Sequence, residues 1–350
     1  MKTTLPVRRA ILARKTYEAP AERRHGKIRL DFNENTTGCS AAALRAIRHL
    51  SAKDIATYPE YAVLTSRIAR YFRVKPAELL LTNGGDDALR VFFDTFVEPD
   101  TQILICEPTF PMYRYYAEIA GANVEALRYN SQMEFPLTAA IAALRKKPRV
   151  FFLANPNNPT GTLVPVLKIE QLLLAAKRTV VVLDEAYAEF SGANAIALTH
   201  KYPHLFVART FSKAAGLAGL RLGAVIASPD SLAVVRRAMP PYPVNMAALV
   251  AAAAAVKERK AIADYVSGTQ RRRAWFTTEL QKQNVRVFPS AANFLLADFG
   301  TRGPVFFRKL ARNNILVRER SKDLGPGFAR ITIGTDAELT AFLRLLRQKD

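Results

Sequence analysis

Short apolar runs alternate with helical patterns over the first two thirds of the chain. Each run is nearly continuous and is followed by polar or glycine-rich residues. Continuous apolar runs are typical of strands covered on both faces, and strand-loop-helix repeats predict a parallel sheet. A helix should begin near Asp86, because four apolar residues recur at helical spacing from Leu89 to Phe96. The predicted strands span residues 79–81, 103–106, 150–154, 180–183, 205–208 and 223–227.

The pattern changes after the proline-rich segment 240–243. An alanine-rich helix is predicted over 246–256 and a basic amphipathic helix around 271–283. Thr335 and Glu338 form the spacing of a capping box, which predicts the start of a last helix. Short strands are predicted at 285–288, 293–297, 315–317 and 329–333. We therefore expect an N-terminal arm (1–29), a larger domain (51–245) and a smaller α+β domain (30–50 with 246–350).

Composition narrows the class of protein. The 350 residues are 49% hydrophobic and 23% charged, which is ordinary for a globular enzyme or binding protein. The longest apolar run, 246–256, is about half of the roughly 20 residues that a membrane helix needs. Cys39 and Cys106 stand far apart, so neither a disulfide framework nor a metal site is predicted. A reducing cytoplasm fits this cysteine usage best.

The charge is the unusual feature. Lys and Arg number 51 against 30 Asp and Glu, giving a net charge of +21. Such a balance attracts anions, and nucleic acid is the first candidate. The basic residues are nevertheless spread along the chain and form no recognised nucleic-acid motif. A solvated basic surface is the interpretation we favour, and nucleic-acid binding is unlikely.

Candidate chemistry follows the predicted strands. Ligands of open α/β sheets bind beyond the carboxyl ends of the strands, so the loops there should hold the site. A glycine pair before Asp86 could present free amides to a phosphate. The turn 155–161 holds three asparagines whose amides could face a ligand, and Asp184 and Glu185 end a buried strand. Lys213 follows the next strand, where desolvation would lower its pKa and make it a candidate Schiff-base amine.

These segments together resemble a known family. The turn 155–161, Asp184 with Tyr187, Lys213 with Arg221, and the segment 329–334 are similar to the fold-type I aminotransferases that depend on pyridoxal 5'-phosphate (PLP). Within them the chain most resembles the histidinol-phosphate aminotransferases, through segments 30–35, 58–60, 108–110 and 315–318. The resemblance implies an α/β fold, PLP-dependent transferase fold type I, with a mostly parallel central sheet and a smaller α+β domain.

The resemblance also implies roles at the cofactor ring. Lys213 would bind PLP covalently and then move the proton at the substrate carbon. Asp184 would pair with the pyridine nitrogen and keep it protonated. Asn158 and Tyr187 would hydrogen-bond the phenolic oxygen of the ring, and Phe110 would stack on its face.

A second group of residues is implied at the cofactor phosphate. They would supply backbone amides, hydroxyls and one guanidinium, whose planar fork suits a phosphate. Tyr58 would reach the phosphate of the neighbouring subunit, so a homodimer is expected. The other members of this group are Gly85, Asp86, Thr210, Ser212 and Arg221.

Substrate contacts are implied by a third group. Arg330 resembles the arginine that binds the substrate α-carboxylate, and Asn33 and Asn35 should line the same pocket. Arg318 matches the arginine that binds the distal phosphate, and Tyr17 resembles a tyrosine that helps it. The chain departs from the family pattern in two places. It lacks a proline after Asn35, and it has phenylalanine at position 110 where tyrosine is common.

The expected activity is amino transfer between histidinol phosphate and 2-oxoglutarate, by a two-step exchange on PLP. The substrates would thus be an amino-acid-like phosphate ester and a 2-oxo acid. Three alternatives stay open at this point. They are a PLP aminotransferase for aromatic or other amino acids, a threonine-phosphate decarboxylase, and a non-catalytic aminotransferase-like module that binds nucleic acid.

Overall fold

A computed structural model describes residues 5–12, 14 and 24–348. Tyr17, predicted to contact substrate, and about half of the predicted N-terminal arm lie outside the described residues. Within the described part of the arm, a short helix at Arg9–Leu12 contacts the helix Met112–Ala120. Arg14 forms an ion pair there with Glu118.

Seven strands form the larger sheet. In chain order they are β2 (Leu79–Thr82), β3 (Gln102–Glu107), β4 (Asn123–Arg128), β5 (Val150–Ala154), β6 (Val180–Asp184), β7 (Leu205–Thr210) and β8 (Gly223–Ile226). Their order across the sheet is β2-β8-β7-β6-β5-β3-β4. Only β8 runs antiparallel to its two neighbours, and the other pairs are parallel. The carboxyl ends of six strands therefore meet at one edge.

Both faces of this sheet are buried. Successive residues of a strand enter different hydrophobic clusters: Phe151 and Leu153 pack on one face, and Val150 and Phe152 pack on the other. Because side chains of a strand alternate between faces, a run that is apolar at every position needs helices on both sides. The continuous apolar pattern in the sequence has this cause.

Five strands form the smaller sheet. They are β1 (Ile28–Leu30), β9 (Arg286–Val287), β10 (Phe294–Asp298), β11 (Ile315–Glu319) and β12 (Phe328–Thr332), in the order β1-β11-β12-β10-β9. β1 is parallel to β11, and the other pairs are antiparallel. A separate cluster of apolar residues covers this sheet, with Phe276 and Phe342 at its centre.

Helices surround the two sheets. The α-helices beyond the arm span Ala41–Arg48, Ala52–Ala56, Tyr61–Phe72, Gly85–Phe96, Met112–Ala120, Leu137–Arg145, Val166–Ala175, Ala188–Ser191, Pro229–Arg236, Met246–Ala255, Arg259–Gln281, Gly303–Arg312 and Asp336–Arg347. Single 3-10 turns lie at Pro76–Glu78, Ile196–His200, Ala218–Leu220 and Gly300–Arg302. The capping box predicted at Thr335 and Glu338 is present. In the part of the chain that the structure describes, none of the helices has the length and apolar character to cross a membrane.

Two helices of the predicted smaller domain pack against each other. The helix Met246–Ala255 contacts the helix Ala41–Arg48. Their buried alanines lie in the apolar cluster that also contains Phe151 and Leu153 of the larger sheet; they are Ala43, Ala248, Ala251, Ala252 and Ala255. Small alanine side chains allow this close helix contact. The division into domains stays a prediction.

Candidate active site

A cavity of about 460 Å³ lies at the edge where the parallel strands end. Loops after β2, β3, β5, β6 and β7 reach it, and β11 and β12 of the smaller sheet contribute side chains from the opposite side. The predicted residues that line it are Gly85, Asp86, Phe110, Asn158, Asp184, Tyr187, Thr210, Ser212, Lys213, Arg221, Arg318 and Arg330. The sheet topology thus brings most of the predicted site together.

Lys213 lies three residues beyond the end of β7 and is partly buried. Its Nζ donates a hydrogen bond of 3.0 Å to the carbonyl oxygen of Phe32. Burial and the nearby Arg330 guanidinium lower the pKa of Lys213 to about 8. About a tenth of this amine is therefore unprotonated at pH 7, far more than for an ordinary lysine, and this is the form that attacks a carbonyl carbon.

Asp184 ends β6 inside the same cavity. Its Oδ2 accepts a hydrogen bond of 2.8 Å from the hydroxyl of Tyr113, and its Oδ1 accepts one of 3.1 Å from the amide of Ala186. Desolvation raises the pKa of Asp184, and the two hydrogen bonds oppose that rise. Tyr113 is fully buried, so this carboxylate is held in a fixed position.

Tyr187 is held by Asn33. The side-chain amide of Asn33 donates a hydrogen bond of 3.0 Å to the Tyr187 hydroxyl. Asn33 is itself fixed, because its backbone amide donates to Thr332 Oγ1 at 3.0 Å and its carbonyl accepts from Asn293 at 3.1 Å. Desolvation raises the pKa of Tyr187. Asn33 thus orients a cavity residue and is absent from the described lining of the cavity.

The helix Gly85–Phe96 begins at the cavity without a side-chain cap. A phosphate could accept hydrogen bonds from its first amides. Gly84, with φ of 86°, closes the preceding turn, and a Cβ there would lie 2.7 Å from Nη2 of Arg221. The Arg221 guanidinium donates to Asp86 Oδ2 at 2.9 Å.

Two hydroxyls complete this end of the cavity. Thr210 Oγ1 donates to Ser212 Oγ at 3.0 Å and accepts from the Ser212 amide at 3.1 Å. The pair therefore already forms a small polar cluster beside the uncapped helix.

The three asparagines of the turn 155–161 have different tasks. The side chain of Asn155 stabilises the turn: its Oδ1 accepts a hydrogen bond of 2.7 Å from the Val164 amide, and its Nδ2 donates one of 3.0 Å to the Val164 carbonyl oxygen. Asn157 bonds Thr160 and the loop after β3. Only Asn158 lines the cavity among them. Asn155 and Asn157 thus bond groups of the turn and of the loop after β3, and of the three amides Asn158 is the one at the cavity.

Arg330 comes from β12 and bridges the two sheets. Its Nη1 donates to Asn158 Oδ1 at 2.6 Å, and its Nη2 donates to the carbonyl oxygen of Asp31. Burial lowers the pKa of Arg330 to about 10. Arg318 lies opposite Arg330 across the β11-β12 ladder and makes no ion pair with the described residues. Two guanidiniums therefore face the cavity without a carboxylate partner.

Asn35 and Tyr58 lie elsewhere. Asn35 Oδ1 accepts from the amide and hydroxyl of Thr37 at 3.0 and 2.6 Å, which closes the turn that lacks the family's proline. Contrary to expectation, neither Asn33 nor Asn35 is among the described residues lining the cavity. Tyr58 is 76% exposed and stacks on Tyr242 with ring centroids 4.4 Å apart.

Glu185 has a structural partner rather than a place in the site. Glu185 is fully buried, and its Oε2 accepts a hydrogen bond of 2.8 Å from Nη1 of Arg209. Arg209 also donates a hydrogen bond to Glu189. Desolvation raises the pKa of Glu185 to about 6, against the attraction of Arg209. This charge pair explains the second carboxylate that follows β6.

Sequence reasoning missed several residues of this region. Among them, Tyr113 contacts Asp184, the carbonyl oxygen of Phe32 contacts Lys213, and Arg320 lines the cavity. Arg320 could have been found, because it stands two residues after Arg318 and a strand places such residues on one face. Residues 5–12, 14 and 24–348 contain no group of His, Cys, Asp or Glu side chains able to hold a metal ion.

Comparison with known proteins now defines the family. The model of the family described as aminotransferase class I and II matches residues 25–346. The chain belongs to this family. This class I and II aminotransferase is a PLP-dependent enzyme, and the predicted resemblance and fold are confirmed.

Proteins similar to this aminotransferase include histidinol-phosphate aminotransferases and one decarboxylase. The chain is 35% identical to histidinol-phosphate aminotransferase 2 of Legionella pneumophila (strain Lens), over 91% of this chain and 89% of the relative. The histidinol-phosphate aminotransferase of Sinorhizobium meliloti, solved with pyridoxal-5'-phosphate, superposes with a TM-score of 0.89 and 25% identity, over 98% of each chain. An L-threonine-O-3-phosphate decarboxylase of Porphyromonas gingivalis superposes with a TM-score of 0.79 and 25% identity, over 91% of this chain and 98% of that chain.

The cavity of the aminotransferase fits PLP. Uncapped amides of the helix Gly85–Phe96, two hydroxyls and Arg221 form a cradle for a phosphate, and a side chain at Gly84 would collide with Arg221. Asp184 supplies a buried carboxylate for a ring nitrogen. Lys213 supplies an amine of lowered pKa in the same cavity.

Proposed function

We propose that this enzyme transfers an amino group between histidinol phosphate and 2-oxoglutarate. The observation that carries the proposal is the composition of one cavity. It contains Lys213 with Asp184 on the side of the larger sheet, and Arg318 with Arg330 on the side of the smaller sheet. The first pair would carry out the amine chemistry, and the second pair would bind an anionic substrate. The names of the relatives support the same substrate.

The residues that would hold the cofactor follow from the same cavity. The amides of Gly85 and Asp86, Thr210, Ser212 and the Arg221 guanidinium would bind its phosphate. Asn158, Tyr187 and Phe110 would contact its ring. Bound PLP supplies an electron sink that stabilises negative charge at the substrate carbon.

Lys213 would handle the proton. Its Nζ, with a pKa lowered to about 8, can accept a proton from Cα of the amino donor and give it up again within the same cavity. The carbonyl oxygen of Phe32 lies 3.0 Å away and offers a resting position for this amine.

Asp184 would hold a second proton in place. A carboxylate close to a ring nitrogen raises the pKa of that nitrogen, and the low dielectric of the buried site strengthens the effect. The Tyr113 hydroxyl and the Ala186 amide favour the ionised form of Asp184. Both hydrogen bonds therefore support its role as a counter-ion.

The arginines would select and orient the substrate. Arg330 would bind the carboxylate of the 2-oxo acid or glutamate, and Arg318 would bind the distal anionic group. Arg318 has no carboxylate partner among the described residues, so its charge is free for a ligand. Asn33, by holding the Tyr187 hydroxyl, would act as a positioning residue.

The working form would be a homodimer. Tyr58 is 76% exposed, Ile55 72% and Val63 62%, and Tyr242 stacks beside them. An exposed group of large apolar side chains is typical of a protein interface. In such a dimer Tyr58 would reach the cofactor phosphate of the other subunit. We place the enzyme in the cytoplasm, where its cysteines stay reduced, and cell fractionation tests this.

The test is an assay of the purified holoenzyme with three amino donors. Histidinol phosphate, phenylalanine and threonine phosphate are each supplied with 2-oxoglutarate, and glutamate and CO2 are measured. We expect glutamate formation with the first donor at the highest kcat/KM. CO2 release from threonine phosphate would instead establish the decarboxylase, and preference for phenylalanine would establish an aromatic aminotransferase.

Two variants control this assay. Lys213→Ala should abolish turnover, and borohydride reduction with peptide mapping should place the cofactor on Lys213 in the wild type. Arg318→Ala should reduce kcat/KM for histidinol phosphate more than for phenylalanine. Equal losses for the two donors would contradict the proposed substrate. Salt-dependent binding to DNA without any turnover would favour the nucleic-acid module.

A further inference from the structure

A third arginine lies on the substrate side of the cavity. Arg320 follows β11 and lines the cavity together with Arg318 and Arg330. It continues the pairing with β12, because its backbone amide donates a hydrogen bond of 2.9 Å to the carbonyl oxygen of Phe328. Residues 318 and 320 are therefore on one face of the strand, and Arg330 is the direct cross-strand neighbour of Arg318.

Arg320 is largely buried, and not all of its donors are paired. Its side chain is 11% exposed, and one terminal nitrogen, Nη2, is anchored on Asp323. Its Nε is buried without a hydrogen-bond partner, and so is Nε of Arg330. A buried donor that stays unpaired is costly, and these two belong to arginines on the same side of the cavity.

The charges around these arginines also fail to balance. Of the three guanidiniums, only that of Arg320 forms an ion pair, with Asp323, so two positive charges stay uncompensated among the described residues. Two other carboxylates of this region, Asp31 and Glu34, form ion pairs with Arg24. Arg320 and Arg318 both act on Arg330 and lower its pKa, so the three charges lie close enough to repel one another.

We propose that Arg320 is a specificity-determining residue that, with Arg318 and Arg330, binds the phosphate monoester group of the substrate in its dianionic form. The proposal rests on the proposed function and deepens it. A phosphate monoester is mostly dianionic above pH 7 and has three terminal oxygens. Its two negative charges match the two uncompensated positive charges, and its oxygens can accept hydrogen bonds from the guanidinium N–H groups. A carboxylate has one charge and two oxygens, and it needs fewer of these donors.

The test compares the two half-reactions in Arg320→Gln. Loss of hydrogen bonds to a charged group should lower kcat/KM for histidinol phosphate by about tenfold to hundredfold. The same variant should change kcat/KM for glutamate by less than about threefold. Arg308→Gln, which removes an exposed cation that does not line the cavity, is the matched control and should change neither value. Equal losses in both half-reactions would overturn the proposal.

A second measurement separates this inference from the proposed function. Inorganic phosphate should inhibit the glutamate half-reaction competitively, and Arg320→Gln should weaken that inhibition at least tenfold. Asp323→Asn breaks the ion pair but keeps an acceptor for Arg320, so it should leave the inhibition within about threefold of wild type. If Asp323→Asn weakens inhibition as much as Arg320→Gln does, the effect belongs to the ion pair and the assignment fails.

The outcomes remain distinct. A wild type that is inactive on histidinol phosphate but inhibited by inorganic phosphate through Arg320 would reject the proposed substrate and keep the anion site. If the wild type is active on histidinol phosphate and Arg320→Gln behaves like Arg308→Gln in both measurements, the proposed substrate is kept and the role of Arg320 is rejected. Arg320→Lys, which keeps the charge and loses the planar fork, should give an intermediate loss.

Discussion

Lys213 illustrates how a single buried amine gains reactivity at the expense of stability. Its pKa in the folded chain is about 8, below the ordinary value of 10.5, chiefly because burial disfavours the charged form. The unfolded chain binds this proton more tightly, so the folded state is penalised below pH 8 and the penalty disappears as the pH rises to about 10.5.

Lys213→Met should therefore stabilise the cofactor-free protein. We expect the free energy of unfolding at pH 7 to rise by up to about 3 kcal/mol, because one pKa unit corresponds to about 1.4 kcal/mol. The gain should shrink as the pH rises from 8 toward 10.5. Urea denaturation at pH 7 and pH 10 measures both values. A gain that is the same at the two pH values would show that the charge of Lys213 is not its cause.

Tyr113 gives a second prediction for a single residue. Tyr113→Phe removes the hydroxyl that donates to Asp184 and leaves a buried carboxylate oxygen without that donor. We expect a loss of about 1–3 kcal/mol in the free energy of unfolding, together with a higher pKa of Asp184 and weaker PLP binding. Tyr116→Phe is the control, since the Tyr116 hydroxyl makes no hydrogen bond to the described residues; similar losses in both variants would contradict the argument.

At the level of elements, the turn between β2 and its helix depends on one glycine. Gly84 has φ of 86° and ψ of 174°, a region that is essentially restricted to glycine, and a Cβ there would press on Arg221. Gly84→Ala should cost about 1–3 kcal/mol of unfolding free energy and weaken PLP binding. Gly85→Ala, whose Cβ would meet nothing within 4 Å, should cost less than about 1 kcal/mol by the same denaturation measurement.

In the larger sheet, the sequence predicted the six strands that are mostly buried and missed the one that is not. β5 matches its predicted range, because its five residues are all apolar and all buried. β4 escaped prediction: it is the outermost strand, and none of its residues is fully buried. β1 has three residues and pairs only with a strand far along the chain, so no local pattern marks it. The helix Arg259–Gln281 begins well before the predicted 271.

The candidate site could be predicted where a strand end fixes the position of a side chain. Asp184 and Lys213 follow buried strands directly, and the structure puts both in the cavity. Asn155 and Asn157 could not be separated from Asn158 by sequence, because all three are amides in one turn and only the fold shows which backbone groups they satisfy. Arg320 was missed because a charged residue after a short strand resembles a solvent-exposed one.

For the whole molecule, the exposed apolar patch around Tyr58 predicts the oligomeric state. Sedimentation velocity should show a dimer, and Ile55→Asp should shift it toward monomer with loss of PLP affinity, because a charge would be buried in the interface. Leu167→Asp, at a 75% exposed site on the helix Val166–Ala175, is the control and should remain dimeric. A dimer that is unaffected by Ile55→Asp would place the interface elsewhere.

The bridge from Arg330 to Asn158 and Asp31 has a consequence for ligand discrimination. Both terminal nitrogens of this guanidinium already have acceptors within the protein, so an anion that bound them would have to displace an internal partner. A small monovalent ion such as chloride would regain less hydrogen bonding and charge attraction than a multivalent oxyanion would. We therefore expect chloride to compete only weakly with an oxyanion at Arg330.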